Sequence, residues 1–349
     1  MKITQVKAVY PHYRHVAPSW RTHLWQIVVR VEADGGLCGW GFGGGGEAAV
    51  AVVNGHMREL LLGQEVDGVE GIARIWDALY RASAPYGRRG IGVMGLSGVD
   101  LALWDLLGKA ENKSVCELLG GARREKVRAY ATGMDVEWYR DLGFSAHKGS
   151  HRYQGREDDG EKVVAWAQRA RRVLGPEALL MNDGYMSWDA DFSRAMAREL
   201  QPYGVHWFED VLLPDQVEEQ AALRPAIKPV LLAGGEHEFT HFGFAELARA
   251  GALDIWQPDL AWCGGMTAAL RIVAQAARSG VQVVPHRGGE VWGLHLIAAG
   301  LCEDLAELVL GGRTGGRDQV WLGEPEPLEG CLGLPDGPGF GVRFNEDML

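Results

Sequence analysis

Cysteine is scarce in this sequence, and positive charge is outnumbered by negative charge. The 349 residues include five cysteines, an odd number with no pair at C-x-x-C spacing. This argues against a disulfide framework or a thiolate zinc site and is typical of a reduced, cytoplasmic protein. Lysine and arginine number 35 against 46 aspartates and glutamates, which gives a net charge of −11. That balance argues against a nucleic-acid-binding surface.

Long apolar runs are also missing from the sequence. The first ten residues, MKITQVKAVY, alternate apolar and polar side chains like a strand and lack the apolar core of a signal peptide. No apolar stretch approaches the roughly 20 residues that span a bilayer. The four glycines at 43–46 are not followed by G-K-[ST], which argues against a phosphate-binding loop. We therefore expect a soluble protein without a membrane partner.

The order of strand-like and helix-like segments predicts two structural parts and a tail. Residues 1–122 suggest a β meander followed by helices, an α+β capping domain. In residues 123–320, eight strand-like runs alternate with helical ones, which favours a parallel βα barrel over an open sheet. Residues 321–349 are rich in glycine and proline and are predicted to form an extended return segment that packs on the cap.

Five ionisable residues end five consecutive apolar runs. They are Asp183, Glu209, Glu236, Asp259 and His286, at spacings of 26, 27, 23 and 27 residues. One strand, one helix and their loops occupy about that length. In a parallel barrel the carboxyl ends of the strands open onto one face, where such enzymes carry out their chemistry. The spacing therefore predicts that these side chains meet at one mouth.

The first three of these residues are candidate metal ligands. Without a cation, the carboxylates of Asp183, Glu209 and Glu236 would repel one another at a shared mouth. Oxygen ligands suit a hard divalent cation such as Mg²⁺, and the absence of a thiol or histidine cluster disfavours zinc. Any one of the three could instead cap a helix or pair with a surface lysine or arginine. Their occurrence on consecutive strands predicts a magnesium site.

The remaining candidates concern proton transfer. Asp259 would orient His286 and stabilise its cationic form, which makes His286 a candidate general base. Lys148 ends the run FSAHK and could bind a substrate carboxylate, act as a second base or lie on the surface. Glu307, on the predicted last strand, could exchange a proton opposite His286 or face solvent.

Several of these segments resemble a known family. The stretch GLSGVDLALWDLLGKAENKSVCELLGGARREKVRAYATG resembles the domain-joining segment of the enolase superfamily, mandelate racemase branch. The order of three acidic residues followed by an Asp and a His also resembles that branch, which binds metal with the former and transfers protons with the latter. The motifs GEH, QPD-x-x-WCGG-x-T, VVPH, AELVL and PGFGV are similar to those of its L-rhamnonate dehydratases.

The resemblance implies a fold and a first chemical step. The fold would be α/β, a modified (β/α)7β TIM barrel with an N-terminal α+β capping domain. His286 would remove the proton α to a substrate carboxylate, and Mg²⁺ would stabilise the enediolate. Racemising relatives carry a second lysine where this chain has Ser150, which favours loss of water over racemisation. Lys148 would then bind the carboxylate, and Glu307 would hydrogen-bond it as a carboxylic acid.

The implied activity is that of a Mg²⁺-dependent acid-sugar dehydratase, a carbon–oxygen hydro-lyase. It would convert an aldonate, such as L-rhamnonate or a related sugar acid, to a 2-keto-3-deoxy acid, and relatives imply a homo-oligomer. Two alternatives stay open at this point. One is a racemase, epimerase or cycloisomerase of the same superfamily, and the other is a non-catalytic sugar-acid-binding protein.

Substrate specificity is expected to reside in the cap and in two barrel loops. The segment PHYRHVAPSWRTH offers Arg21 and His15 as binding residues for a polyhydroxylated anion. Arg287, directly after His286, and the loop HKGSHRYQGRED both depart from the L-rhamnonate dehydratase pattern. The glycine run 43–46 could form a mobile lid over the substrate.

Overall fold

A computed structural model describes residues 1–314 and 316–349. The N-terminal part contains a three-stranded antiparallel sheet in the order β1–β2–β3. Its strands are β1 (Ile3–Val9), β2 (Ile27–Ala33) and β3 (Cys38–Gly43). Its helices are α1 (Arg21–Leu24), α2 (Gly46–Val52), a π-helical turn (Val53–Met57), α3 (Arg58–Leu61), α4 (Val69–Gly87), α5 (Ile91–Glu111) and α6 (Val115–Leu118). Strand β2 begins only at Ile27, because Arg21–Leu24 form α1.

Helix α5 forms the core of the N-terminal part, packed against β3. A side chain is excluded at this contact, since a Cβ at Gly41 would lie 2.1 Å from the carbonyl oxygen of Gly98, and one at Gly39 would lie 2.0 Å from that of Ala102. The 21-residue helix is apolar and long enough to cross a membrane, which corrects the expectation that no such stretch exists. Because 89% of its most apolar window is buried, α5 is a core helix.

Eight parallel strands follow, in the order β10–β9–β8–β7–β6–β5–β4–β11. They are β4 (Val127–Thr132), β5 (Ala146–Ser150), β6 (Leu179–Asp183), β7 (Val205–Glu209), β8 (Leu231–Gly234), β9 (Ile255–Trp256), β10 (Gln282–Val283) and β11 (Ala306–Val309). The last strand pairs with the first, and the N–H of Glu303 bridges to the carbonyl of Val283 on β10. The sheet therefore curls into a barrel.

Each of the first seven barrel strands is followed by a helix. These helices are α7 (Val136–Asp141), α8 (Asp159–Leu174), α9 (Ala190–Glu199), α10 (Val217–Ala226), α11 (Thr240–Ala250), α12 (Gly265–Ser279) and α13 (Val291–Ala298), with a 3₁₀ turn at Gln201–Tyr203. The predicted fold class, a modified (β/α)7β barrel with an N-terminal α+β part, is confirmed. The sequence prediction did not specify α7 or α13. The first is short, and all eight residues of α13 are buried, so it has no amphipathic period.

The tail contacts both parts of the chain. It contains β12 (Trp321–Leu322), β13 (Cys331–Leu332), β14 (Arg343–Phe344) and a 3₁₀ turn at Glu346–Met348. Strand β13 pairs antiparallel with β4 of the barrel. Phe344 stacks on Trp40 of β3, with ring centroids 5.2 Å apart, and so covers the N-terminal sheet. The division of the chain at residues 122 and 320 stays a prediction.

Two buried histidines are held in the neutral form by their partners. The Nδ1 of His295 accepts a hydrogen bond from the N–H of Cys116 at 3.0 Å, so its Nε2–H donates to the carbonyl of Phe340 at 3.3 Å. The Nε2 of His147 likewise accepts from the indole N–H of Trp166 at 3.0 Å. Burial lowers the pKa of each imidazole to about 4. His295 thereby joins the N-terminal part, the barrel and the tail.

Because these two histidines are neutral in the native state, we expect the protein to lose stability in mild acid. Their unfolded pKa is about 6.5, so between about pH 6.5 and pH 4 the unfolded chain binds protons that the native state excludes. The free energy of unfolding should therefore fall as the pH is lowered, by about 2 kcal/mol per histidine at pH 5. Urea denaturation at pH 8 and pH 5 measures this fall. In His295→Gln the fall should be smaller by about one histidine's share.

The matched control is His56→Gln, which changes an exposed histidine of the N-terminal part. Its acid-induced loss of stability should equal that of the unchanged protein. An equal loss in His295→Gln would contradict the assignment of a neutral, buried imidazole to His295.

Candidate active site

Residues from seven barrel strands or the loops after them meet at the mouth. Lys148 lies on β5, Asp183 and Glu209 end β6 and β7, and Glu307 lies on β11. Glu236, Asp259 and His286 lie two or three residues beyond β8, β9 and β10. Their side chains are largely buried, so their charges interact strongly.

The predicted Asp–His pair is formed. The Nδ1 of His286 lies 2.9 Å from Oδ2 of Asp259, whose Oδ1 accepts the N–H of Ala261 at 2.7 Å. The Asp259 carboxylate accordingly fixes the proton on Nδ1 and the orientation of the ring. The other nitrogen, Nε2, faces Oε2 of Glu236 at 3.2 Å. His286 therefore presents one nitrogen to the carboxylate cluster.

The charge state of His286 depends on Glu236. Burial lowers the pKa of the imidazole, but Glu236 and then Asp259 outweigh burial and raise it to about 10. With Glu236 ionised and uncompensated, His286 is a cation and a proton donor. A divalent cation bound by Glu236 would remove the largest cause that raises this pKa, which would allow Nε2 to accept a proton.

Lys148 and Glu307 form a buried ion pair in the same cluster, with Oε2 of Glu307 3.9 Å from Nε2 of His286. The Nζ of Lys148 lies 2.7 Å from Oε1 of Glu307 and also contacts Glu209. Glu307 further accepts hydrogen bonds from the hydroxyl of Thr132 at 2.6 Å and the N–H of Arg287 at 2.8 Å. Burial alone would raise the pKa of Glu307, but Lys148 and His286 lower it to about 2. Lys148 and His286 thus favour the carboxylate form of Glu307, and its expected role as a carboxylic acid stays a prediction.

The three predicted metal ligands lie close enough for their charges to interact with one another. Burial and the charge of Glu209 raise the pKa of Asp183 well above its usual range, and Glu236 adds to the effect. Asp183 accepts the N–H of Tyr185 at 2.8 Å through Oδ1. The Oε2 of Glu209 accepts from the amide of Gln257 at 2.7 Å, while its Oε1 contacts the lysine described above. Glu209 is therefore the most heavily hydrogen-bonded of the three.

Two further residues at this site were missed by the sequence prediction. In the part of the chain that the structure describes, Asp210, Glu236 and His237 form the group whose ligand atoms lie within 4.8 Å of one another. The Oδ2 of Asp210 is buried without a hydrogen-bond partner, and burial and Glu236 raise its pKa to about 7. The only sequence signals were an Asp directly after Glu209 and a His directly after Glu236.

The charges at the mouth fit a bound dication. Six carboxylates converge around the strand ends, and within the described residues three potential cations lie within 4.0 Å of them. The carboxylates are Asp183, Glu209, Asp210, Glu236, Asp259 and Glu307, and the cations are Lys148, His237 and His286. The buried Oδ2 of Asp210 has no hydrogen-bond partner, so no donor compensates the negative charge at this atom. Because the donors are mainly carboxylate oxygens, they suit Mg²⁺ better than zinc.

The backbone is strained directly after several of these strands. Tyr185, Asp210 and Arg287 adopt left-handed conformations, with φ of 51°, 40° and 51°. Such conformations are disfavoured for residues with a side chain and persist where the surrounding structure imposes them, often at functional sites. Here they turn the chain at the mouth, one or two residues beyond Asp183, Glu209 and His286.

The structure brings Arg21 and Arg287 together but places His15 elsewhere. The guanidinium carbons of Arg21 and Arg287 lie 4.8 Å and 5.2 Å from the centroid of the same ring, that of Trp25. The N–H of His15 donates to Asp318 at 2.9 Å, and its imidazole lies over Gly316, in the segment before the tail. The path of the segment before α1 decides this, and no sequence pattern reports that path.

The glycine run 43–46 is packed and does not form an exposed lid. A Cβ at Gly44 would lie 2.6 Å from the indole nitrogen of Trp262, and one at Gly46 would lie 2.0 Å from the carbonyl oxygen of His23. The expectation of a mobile lid is therefore wrong. These residues are glycines because the backbone passes closely between Trp262 and α1.

Two family models together match nearly the whole chain. Residues 3–120 match the N-terminal domain of mandelate racemase and muconate lactonizing enzyme. Residues 131–348 match the enolase C-terminal domain-like family. The first match covers the antiparallel sheet and its helices, and the second covers the barrel and most of the tail.

Individual relatives give the same result. The L-rhamnonate dehydratase of Saccharopolyspora erythraea is 35% identical over 351 residues, covering 98% of this chain and 89% of its own. The structure of rhamnonate dehydratase from Gibberella zeae complexed with Mg superposes with a TM-score of 0.88 at 28% identity, covering 99% of this chain and 95% of its own. The 3,6-anhydro-D-galactonate cycloisomerase of Zobellia galactanivorans superposes with a TM-score of 0.86 at 29% identity, covering 99% and 98%.

Three findings therefore agree on the family of this chain: the arrangement of the barrel mouth, both family models, and a relative that spans almost the full chain. The chain belongs to the mandelate racemase branch of the enolase superfamily.

Proposed function

We propose that this protein is a Mg²⁺-dependent acid-sugar dehydratase that converts an aldonate related to L-rhamnonate to a 2-keto-3-deoxy acid. The observation that carries the proposal is His286, fixed by Asp259 through Nδ1 and presenting Nε2 to a cluster of carboxylates. A relative named for dehydration of L-rhamnonate supports the reaction class. The chain is accordingly a hydro-lyase.

The proposed Mg²⁺ ligands are Asp183, Glu209 and Glu236, which end or follow three consecutive strands. Mg²⁺ held by them would supply the positive charge that offsets the negative charge developing on the substrate carboxylate as the enediolate forms. The magnesium complex of the Gibberella zeae enzyme supports this choice of cation. Asp210 is the competing ligand, because its unpaired oxygen lies beside Glu236.

The protein residues would transfer one proton in two steps. Nε2 of His286 takes the proton from the carbon next to the carboxylate, while Asp259 stabilises the resulting imidazolium. The same proton then goes to the hydroxyl on the next carbon, which leaves as water with the C–O bonding electrons. The enol that remains tautomerises to the 2-keto acid. Lys148 would orient the carboxylate, and Glu307 would position Lys148 through their ion pair.

A racemase, epimerase or cycloisomerase is the alternative, and the likeness to the Zobellia galactanivorans enzyme keeps it in view. Racemisation needs an acid or base on each face of the carbon. Ser150 occupies the position two residues beyond Lys148 and aligns with Asp183 on the neighbouring strand. Its buried hydroxyl has no hydrogen-bond partner and is too weakly basic for that task. This favours elimination at a single base.

Other parts of the proposal concern the protein as a whole. We propose that the N-terminal part, residues 1–122, contributes Arg21 to substrate binding as a cap over the barrel of residues 123–320. The tail of residues 321–349 would hold the cap in place. Homo-oligomeric assembly, a cytoplasmic location and a role in carbohydrate catabolism complete the proposal.

Turnover of acid sugars with Mg²⁺ distinguishes the two reaction classes. A dehydratase should release a 2-keto acid that forms a semicarbazone, and in D₂O the deuterium should appear at the carbon that carried the departing hydroxyl. A racemase or epimerase should exchange the α-proton for deuterium without forming a semicarbazone. Exchange without 2-keto acid, across a broad acid-sugar library, would replace the dehydratase assignment with the alternative.

His286→Asn should lower kcat by about 10³-fold or more, because the variant loses the proton acceptor and donor. Thermal unfolding and Mg²⁺ binding should change little, since asparagine can still donate to Asp259. His56→Asn, far from the mouth on an exposed surface, serves as the control and should keep full activity. Retained turnover in His286→Asn would remove His286 from the reaction.

Metal removal should abolish activity, and Mg²⁺ should restore it. Titration calorimetry with Mg²⁺ then tests the ligands without relying on turnover. Asp183→Asn, Glu209→Gln and Glu236→Gln should each weaken binding by about 100-fold, whereas Asp210→Asn should weaken it by less than about tenfold. The opposite order for Glu209→Gln and Asp210→Asn would move the metal to the site formed by Asp210, Glu236 and His237.

A further inference from the structure

Three arginines line the mouth, separated by two aromatic rings. The guanidinium carbon of Arg152 lies 4.7 Å from the ring centroid of Tyr185, and Arg21 and Arg287 lie on the ring of Trp25. Arg21 interacts electrostatically with the Arg152–Tyr185 pair as well as with Arg287. Burial lowers its pKa most, after which Tyr185 raises it and Arg287 and Arg152 lower it, so these groups lie within electrostatic range. We call Arg21, Arg152 and Arg287 the arginine rim.

The charges of the arginine rim are poorly compensated within the chain. Among the residues that the structure describes, neither Arg21 nor Arg152 forms a salt bridge with a carboxylate. Arg287 pairs with Glu290 through Nη2, but its Nη1 is buried and has no hydrogen-bond partner. Desolvating the Nη1 of Arg287 without an acceptor costs free energy, and the exposed guanidinium groups of Arg21 and Arg152 are accessible, so this arrangement favours an anionic ligand.

The arginine rim lies at the outer edge of the site. Arg152 is four residues beyond Lys148, and Arg287 directly follows His286. Arg21 comes from α1 of the N-terminal part. Because strands run outward toward the mouth, residues beyond the strand ends lie farther out than Lys148 and Asp183. A substrate whose reacting carboxylate is bound among the inner groups would direct its other end toward the arginine rim.

We propose that the natural substrate carries a second anionic group, a carboxylate or a phosphate, at the end remote from the reacting carboxylate, and that the arginine rim binds it. This inference rests on the proposed function and narrows its substrate class. The relatives' substrate, L-rhamnonate, ends in a methyl group, which offers no acceptor to a guanidinium. Arg152 and Arg287 also belong to the two barrel segments in which the sequence predicts that specificity resides.

Three acid sugars of one configuration test the proposal directly. D-Gluconate, D-glucarate and 6-phospho-D-gluconate differ only at carbon 6, which carries a hydroxyl, a carboxylate or a phosphate. With Mg²⁺, kcat/KM for 2-keto acid formation should be about tenfold or more higher for a dianion than for D-gluconate. The preferred dianion identifies the anionic group. The galacto and manno sets repeat the comparison in other configurations.

Variants locate the effect at the arginine rim. Arg152→Gln and Arg21→Gln should each raise KM for the preferred dianion by about tenfold or more, with little change in kcat and with a smaller rise in KM for the matched monoanion. Arg287→Lys should behave similarly, since lysine cannot reproduce two guanidinium N–H groups. Arg198→Gln, on the exposed outer helix α9, removes the same charge away from the mouth and should change neither value.

The outcomes separate the inference from the proposed function. Equal or faster turnover of the monoanions in every configuration would overturn the inference and leave the dehydratase intact. If no compound is turned over, the proposed function fails, and competition between the dianions and monoanions is then measured by tryptophan fluorescence. Tighter binding of a dianion, lost in Arg152→Gln, would still support the arginine rim, and equal binding would overturn it.

Discussion

The concentration of buried negative charge at the barrel mouth is the constraint on which the rest of the site depends. Parallel strands end side by side, so acidic residues at successive strand ends are brought together although their like charges repel one another. The protein compensates this charge unevenly. Lys148 neutralises part of it from within the barrel, His286 shares a proton with the cluster, and Asp210 keeps one buried oxygen without a partner. The remaining excess of negative charge favours a bound cation.

The same constraint assigns different tasks to chemically similar groups. Glu307 is held ionised by Lys148 and His286, whereas burial favours the neutral form of Asp183. The two carboxyl groups differ because three donors surround Glu307 and mainly other carboxylates surround Asp183. The imidazoles of His286 and His295 likewise differ in their protonation. His286 faces carboxylates and gains a proton, while His295 lies between a backbone N–H and a carbonyl and stays neutral.

The regular part of this arrangement was predictable from sequence. Apolar runs ending at Asp183, Glu209 and Glu236 locate strand ends, and alternation with helices fixes the barrel. What failed were features decided by contacts between distant segments. The packing of Gly44 against Trp262 and the position of His15 beside Asp318 each depend on partners far away in the chain. The role of Asp210 was hidden because an adjacent Glu occupies the expected position.

The pairing of β13 with β4 and the contact of His295 with Phe340 have a consequence for how the chain is made. The first barrel strand, β4, pairs with a strand that is synthesised some 200 residues later. The antiparallel sheet is covered by Phe344, which is synthesised later still. Neither half reaches its complete set of contacts until residues 331–344 have been synthesised. This segment therefore completes the packing of both halves at once.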